Sequence, residues 1–515
     1  RLTESAAAAH TRPVFARRGP WRCSSLRSLF LLTPWSWSIY FSWQSLIAII
    51  ARLSKLSGII KFMTHLASND DFVFLGYDIN EVKNSIHCHW RIGEYNFTEV
   101  FVFPEGGDWK QPAVKCAVKW LFLLAGVSYY KTLAPARLDM SGMKLRDDEV
   151  KFLEQYYRQG LGEFAYRADL AHPGRGIFQR VSRLEISHYE LDKQNLSYQS
   201  VSPMQQCDPL VPFGGGVDSL VSVELLRAAG ITPTLFIVNK EGIAFPAVDN
   251  PAAATGLSVI RAERYLDKQL GTTPGFLNGH VPVTGIISAM AVIAAALAGK
   301  DAVVMSNEWS ASSPTLVTAD GIRVNHQYSK SEEFECGFNG VLVAPGLPNY
   351  FSLLRPWSEL WIAQQFANKC AAYFDTFCSC NRAFILDEAR RSQGWCGACD
   401  KCAFIDLILS PFLSKAALER VFSGIEPLQK PDLVPSFRGL LGMDENIKPW
   451  ECVGDVGESR VAMRLMSRRE DRRHGGIDPG VKGLLDNLPK DPEPDFLTPN
   501  GHRVPGRYLR AACLE

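Results

Sequence analysis

The sequence predicts an α/β fold organised on a doubly wound parallel sheet, with a small β-containing N-terminal domain before it and a cysteine-rich C-terminal metal-binding segment after it. Three observations carry this expectation. A glycine turn, Pro212-Phe-Gly-Gly-Gly-Val-Asp-Ser219, joins a short apolar run at Leu210 and Val211 to an amphipathic stretch from Leu220 to Ala229 that Gly230 closes. Downstream, short apolar runs alternate with helix-length segments, the pattern of parallel strands joined by crossover helices. Upstream, aromatic residues alternate with polar ones in runs separated by turn residues, as antiparallel strands require.

At 515 residues, with 46% apolar and 21% charged residues, the chain has room for two or three domains and a sizeable core. The net charge is +1, but nine Lys and Arg face one acid in residues 1–62, which leaves 46 against 53 in the remainder. A mildly acidic body argues against extended binding to nucleic acid, which needs clustered cations. Thirteen cysteines in so long a chain, five of them from Cys378 to Cys402, suit a reducing compartment and a metal site better than a disulfide scaffold.

Residues 1–62 are Arg- and Ser-rich, then uncharged from Ser28 to Ala51 between Arg27 and Arg52. A membrane anchor, an organelle transit peptide and upstream read-through compete for this leader. Read-through with a natural start at Met63 is favoured, because a well-patterned domain begins within ten residues of that Met.

Residues 63–200 read as the N-terminal β/α domain, with strands at Phe72 to Tyr77, Ile86 to Trp90 and Phe97 to Phe103 and helices through Leu121 to Tyr130 and Glu149 to Tyr157. His87 and His89 share a strand face but lack a third ligand nearby, so they read as ordinary histidines. Residues 201–377 read as the α/β nucleotide domain. Its turn is a phosphate site in type: glycines admit an anion to the backbone, and the helix start offers free N–H groups and a positive dipole end. Neither the Walker spacing nor the dinucleotide G-x-G-x-x-G is present, and a ligand-free turn is the alternative. Thr234 to Val238 reads as a buried strand, Ala252 to Tyr265 as a helix, and Ala302 to Met305 as a strand. Val283 to Ala298, about sixteen residues and apolar on every side, is short for a membrane span and reads as a buried helix.

Ligands of a doubly wound sheet bind at the carboxyl ends of its strands. Asn307, Glu308 and Ser310, directly after Met305, are therefore candidate substrate contacts, as is Asn325. Asn325 to Lys330 gives six consecutive side chains with donors or acceptors. Within it His326 is the first candidate for proton transfer and Lys330 for stabilising developing negative charge, with His280 the second candidate base. Residues 378–463 hold Cys380 and, sixteen residues on, Cys396-Gly-Ala-Cys399-Asp-Lys-Cys402. That spacing suits a tetrathiolate site, zinc first and iron–sulfur second, and a closed set of four is structural. Residues 464–515, charged and rich in Pro and Gly, read as a loosely ordered tail.

The turn resembles the pyrophosphate loop, S-G-G-x-D-S, of the PP-loop ATPases, a HUP-like fold, with Gly214 in the first Ser position followed by Gly215, Gly216, Val217, Asp218 and Ser219. From about Phe72 to Met463 the chain resembles the UDP-N-acetylmuramoyl-L-alanyl-L-glutamate epimerases of bacterial peptidoglycan synthesis. The matching runs are Phe72 to Tyr77, Gly160 to Phe164, Pro212 to Ser219, Ser306 to Glu308, Val324 to Lys330, Ser379 to Phe384 and Trp395 to Ala403.

The resemblance implies a cytoplasmic enzyme that adenylates the terminal glutamate of a UDP-sugar dipeptide with ATP and Mg²⁺, epimerises it and hydrolyses it, releasing AMP and pyrophosphate. Gly214, Gly215, Gly216 and Ser219 would then hold the pyrophosphate, and Asp218 would orient the loop or the metal. Val217 stands where Lys is expected in many relatives. The strands from Phe72 to Phe103 are the expected seat of the UDP-sugar. Other readings stay open: a tRNA sulfurtransferase, an ATP-dependent amide or nitrile ligase, or a non-catalytic nucleotide-binding protein.

Overall fold

The computed structural model describes residues 70–193, 207–239, 243–385, 388–443, 448–473, 475–489 and 495–515; the leader and its three readings lie outside the described residues. One sheet of ten strands dominates. In chain order they are β1 (Phe72–Asn80), β2 (Ser85–Ile92), β3 (Tyr95–Val102), β4 (Arg137–Asp139), β5 (Glu185–Ser187), β6 (Pro209–Pro212), β7 (Thr234–Val238), β8 (Val259–Tyr265), β9 (Ala302–Met305) and β10 (Asn349–Ser352). Across the sheet the order is β10-β9-β6-β7-β8-β3-β2-β1-β4-β5. The half from β10 to β8 is parallel throughout, as expected for strands joined by crossover helices.

The upstream aromatic runs form the expected antiparallel meander β1-β2-β3. It does not make a separate sheet, because β3 pairs antiparallel with β8 and extends the parallel half. The reading of Ala252 to Tyr265 as one helix is corrected. The helix stops at Thr255, Gly256 turns the chain at φ +65°, and the β-branched Val259 and Ile260 open β8.

Side chains alternate across the parallel strands and separate two cores. Leu210, Phe236, Val303 and Met305 face one side, while Val211, Leu235, Ile237 and Val304 face the other. The first core is roofed by α1 (Pro112–Ala125), α2 (Asp147–Gly160), α3 (Gly162–Ala171) and, further along, α6 (Val283–Leu297), which is the expected buried apolar helix. The second holds α4 (Val217–Ala228), α5 (Pro246–Thr255), α8 (Glu359–Lys369), α9 (Asp400–Leu409) and α10 (Val456–Ser467); α7 (Glu332–Val341) lies on the α2 side. Helices on both faces of a parallel sheet are the doubly wound arrangement.

The stretch Pro112–Tyr130 is long and apolar enough to cross a membrane, yet it is packed inside the first core, where Trp90 stacks between Phe122 and Tyr129. Residues 464–515 are also corrected: the described part packs on the body instead of hanging loose. Buried Arg472 pairs with Glu426, Tyr508 Oη donates to Asp301 Oδ1 at 2.8 Å, and Trp357 Nε1 donates to Ala512 O at 2.8 Å.

Candidate functional site

From β6 the chain steps to β7 and β8 on one side, then to β9 and β10 on the other, so the strand order reverses between β6 and β9. Loops leaving neighbouring strands at such a point diverge and leave a crevice. The glycine turn follows β6 and the Ser306 run follows β9.

Gly215 has φ +74°, and a Cβ on it would come within 2.5 Å of Ala247 O and 2.7 Å of Pro251 Cγ, so only glycine fits. Gly214 is exposed, with nothing within 4 Å of where its Cβ would be. Gly216 caps α4 without a side-chain acceptor, which leaves the first N–H groups of the helix for an anion. Ser219 is buried with Oγ on Gly216 O at 3.1 Å. Val217 is 3% exposed and packs in the second core, so its side chain leaves the crevice, where the missing Lys was expected to act.

Asn307, Glu308 and Ser310 are all buried after β9. Asn307 N donates to Ser352 Oγ at 2.7 Å. Arg355, buried, donates to Glu308 O, to Lys330 O at 2.6 Å and to Glu335 Oε2 at 3.0 Å, which clamps this loop to the Lys330 turn. Ser306 Oγ and Ser310 Oγ are buried with no hydrogen-bond partner among the described residues. Asn325 is committed locally: Nδ2 donates to Ala311 O at 2.8 Å and Oδ1 accepts from Gln327 N at 2.8 Å.

Asp218, in the first turn of α4, faces the same charges. Burial pushes its carboxyl up to about 6 and the Glu308 carboxylate adds to this, while Lys401 and Lys330 pull against it. Burial would lower the Lys330 ammonium, but Cys452, Glu308 and Asp218 hold it protonated.

His326 and His280, distant in sequence, lie with ring centroids 4.4 Å apart and planes tilted by 38°. His326 Nδ1 donates to Glu163 Oε2 on α3, His280 Nδ1 lies 3.8 Å from the same oxygen, and Arg167 Nη1 donates to Glu163 Oε1 at 2.9 Å. Burial, then the charge on His326, lower His280 to about 4. Burial would lower His326 too, but its hydrogen bonds to Cys452 and Glu163 outweigh this and raise it to about 9. For Cys452 burial raises the thiol, and Lys330, the His326 hydrogen bond and Lys401 reverse it to about 6. The two groups shift one another, the imidazole up and the thiol down. Sequence reasoning missed Glu163, which reads as half of an i,i+4 surface pair, and Cys452, which has no spacing motif.

The expected sulfur set is present. Cys396 Sγ and Cys399 Sγ lie 3.7 and 3.5 Å from Cys402 Sγ, and all four ligand atoms, Cys380 included, fall within 4.8 Å of one another. Tetrahedral zinc with bonds near 2.3 Å would set sulfurs about 3.8 Å apart, so these residues fit it. The set also braces the glycine turn, since Cys378 N, two residues before Cys380, donates to Gly215 O at 3.1 Å.

A cleft of about 620 Å³ opens on His280 and is lined by Phe164, Arg167, His172, Arg175 and Phe276. Of the strands expected to seat the UDP-sugar, β3 meets this cleft through Tyr95 and Phe97, which pack on Phe276, while Phe72, Phe74, Trp90 and Phe101 are buried in the first core.

Residues 63–353 match the MurL N-terminal domain and residues 376–495 the MurL C-terminal domain. Three curated proteins named UDP-N-acetyl-alpha-D-muramoyl-L-alanyl-L-glutamate epimerase are similar. The one from Salinispora tropica is 40% identical, covering 77% of this chain and 83% of its own. That from a Micromonospora species is 37% identical over 86% and 97%, and that from Xanthomonas oryzae pv. oryzae is 36% identical over 76% and 84%.

Proposed function

The chain belongs to the MurL family of UDP-N-acetyl-α-D-muramoyl-L-alanyl-L-glutamate epimerases, and on that premise we propose that it inverts the terminal L-glutamate of UDP-MurNAc-L-Ala-L-Glu through an acyl-adenylate made from ATP, in the cytoplasm. The observation that supports the mechanism is the electrostatic coupling of Asp218, beside the glycine turn, to Lys330, four residues after the His326 that donates to Glu163.

An α-hydrogen beside an ionised carboxylate is very weakly acidic, because its loss builds a second negative charge next to the first. Joining the carboxylate to AMP removes that charge. The proton then leaves, returns on the other face, and water releases the D-glutamyl product with AMP. In this reading the N–H groups from Gly214 to Ser219 take the departing pyrophosphate, and PP-loop chemistry follows from that placement. Asp218 and Glu308 would hold Mg²⁺, which would screen the charge of the phosphates. Ser306 and Ser310 suit substrate oxygens, and Lys330 offsets the enolate charge. Arg167 and Arg175 in the cleft suit the diphosphate of the UDP-sugar. Zinc on Cys380, Cys396, Cys399 and Cys402 would be structural, holding Cys378 against the turn.

The test is incubation of the full chain with ATP, Mg²⁺ and UDP-MurNAc-L-Ala-L-Glu in D₂O. The reading expects AMP, pyrophosphate and deuterium at the glutamate α-carbon. Epimerisation without AMP would remove the adenylate, and absence of both would remove the whole reading.

A further inference from the structure

We infer that Arg167 makes the reaction specific for the nucleotide-sugar form of the dipeptide, by taking the diphosphate in the cleft beside His280 while it holds Glu163; the inference rests on the function proposed above. Helix α3 builds both parts. Glu163 and Arg167 stand one turn apart, so that Arg167 Nη1 donates to Glu163 Oε1 at 2.9 Å. The Glu163 side chain is 2% exposed and the Arg167 side chain 58%, so Arg167 joins a buried anion to open space. Beyond it on the same helix, Ala168 and Ala171 are too small to fill that space, and the cleft remains.

The facing wall is held in place. Leu277 N donates to Thr132 O at 2.9 Å, and Lys131 Nζ donates to Asn278 Oδ1 at 2.8 Å and to Gly279 O at 3.0 Å. Gly279 lies so close to α3 that a Cβ on it would sit 3.0 Å from Phe164 Cδ2. Phe276 is held edge-on by Tyr95, with ring centroids 4.9 Å apart. The volume left between these walls, about 620 Å³, falls within the ~300–1,000 Å³ of small-ligand sites. Arg167, Arg175 and His172 line it, and no Asp or Glu is among the described residues that do, so the cleft favours an anion.

Glu163 gives the guanidinium a second task. Its Oε2 accepts from His326 Nδ1 and lies 3.8 Å from His280 Nδ1, so one carboxylate borders both Arg167 and the histidine pair. A diphosphate brought in beside Glu163 would meet a like charge. Arg167, whose planar fork carries several N–H donors, can face both anions at once, and the point charge of a lysine cannot. Free L-Ala-L-Glu has no diphosphate to offer this fork, and that is the difference the cleft reads.

The experiment titrates the full chain with UDP by calorimetry in the absence of ATP. Wild type should bind UDP, and Arg167→Gln should weaken binding by at least about 10-fold, as loss of a charge-assisted fork implies. Glu163→Gln in the Arg167→Gln background should restore part of that loss, because the buried like charge is gone. In turnover, Arg167→Gln should raise KM for UDP-MurNAc-L-Ala-L-Glu by a similar factor, leave KM for ATP unchanged and narrow the preference over free L-Ala-L-Glu. Wild type that binds no UDP, Arg167→Gln that binds it as wild type does, or ATP that displaces it overturns the inference. So does a double variant that binds no better than Arg167→Gln, which would remove the bridge to Glu163. Because UDP binding is read without ATP, wild type that binds UDP yet makes no AMP would refute the proposed function and leave the cleft assignment standing.

Discussion

Cys402 and Cys452 are both withdrawn from solvent within the same half of the molecule, and they are placed for opposite work. The Cys402 sulfur looks onto other sulfurs, Cys399 at 3.5 Å and Cys396 at 3.7 Å, a set that suits one metal ion and leaves no position open. Cys452 is subject instead to the charges of Lys330, His326 and Lys401, which pull its thiol down to about 6 against the effect of burial. What a cysteine does here is decided by the charges it faces; burial alone would raise both thiols.

The sharpest way to break the comparison is to damage each half separately. His326→Ala should cut epimerisation by about 10²–10⁴-fold while substrate-dependent pyrophosphate exchange persists. Gly215→Ala, which forces a Cβ onto Ala247 O at positive φ, should do the reverse: exchange falls steeply, while alkylation of Cys452 keeps its rate. If both substitutions abolish both readouts, the turn and the thiol are not separable.

The pH profile comes next in size. Below about 6 the Cys452 thiolate is protonated, and above about 9 His326 loses the proton that holds it. Lys330 and Lys401 set the lower limb, and Glu163 with Cys452 sets the upper one. The turnover rate should therefore fall about tenfold per pH unit outside that window and stay flat within it.

Cys399→Ser should release zinc and lower the melting temperature by several degrees, leaving the Cys452 alkylation pKa in place. Unchanged metal content in this variant would separate the cluster from zinc. Val217→Lys is the smallest test. Because Val217 is packed in the second core, the substitution should cost about 1–3 kcal/mol of stability without raising the rate of AMP release. A large gain in AMP release would place that side chain in the crevice after all.

What was legible in the sequence follows the same division. The glycine turn, the four clustered cysteines and the apolar helix from Val283 each state their requirement within a few consecutive residues, so they can be read locally. The strand Val259–Tyr265 could not be, because Arg261, Glu263 and Arg264 break its apolar pattern; Arg264 is satisfied by reaching Glu99 on β3 and Ser128 Oγ. The joining of the meander to the parallel half depends on that same long-range pairing. Glu163 and Cys452 gain meaning only when folding brings them to His326 from opposite directions along the chain. The tail misled for a related reason: Pro and Gly signalled disorder, while Arg472, Tyr508 and Ala512 find partners far away in sequence.

The most direct test of the account is to follow oxygen. UDP-MurNAc-L-Ala-L-Glu carrying ¹⁸O in the glutamate α-carboxylate should, in a single turnover with ATP, leave one labelled oxygen on the phosphate of AMP, because that oxygen bridges carbon and phosphorus until water cleaves the acyl bond. AMP free of label, formed alongside the D-glutamyl product, would contradict activation of the carboxylate at the glycine turn.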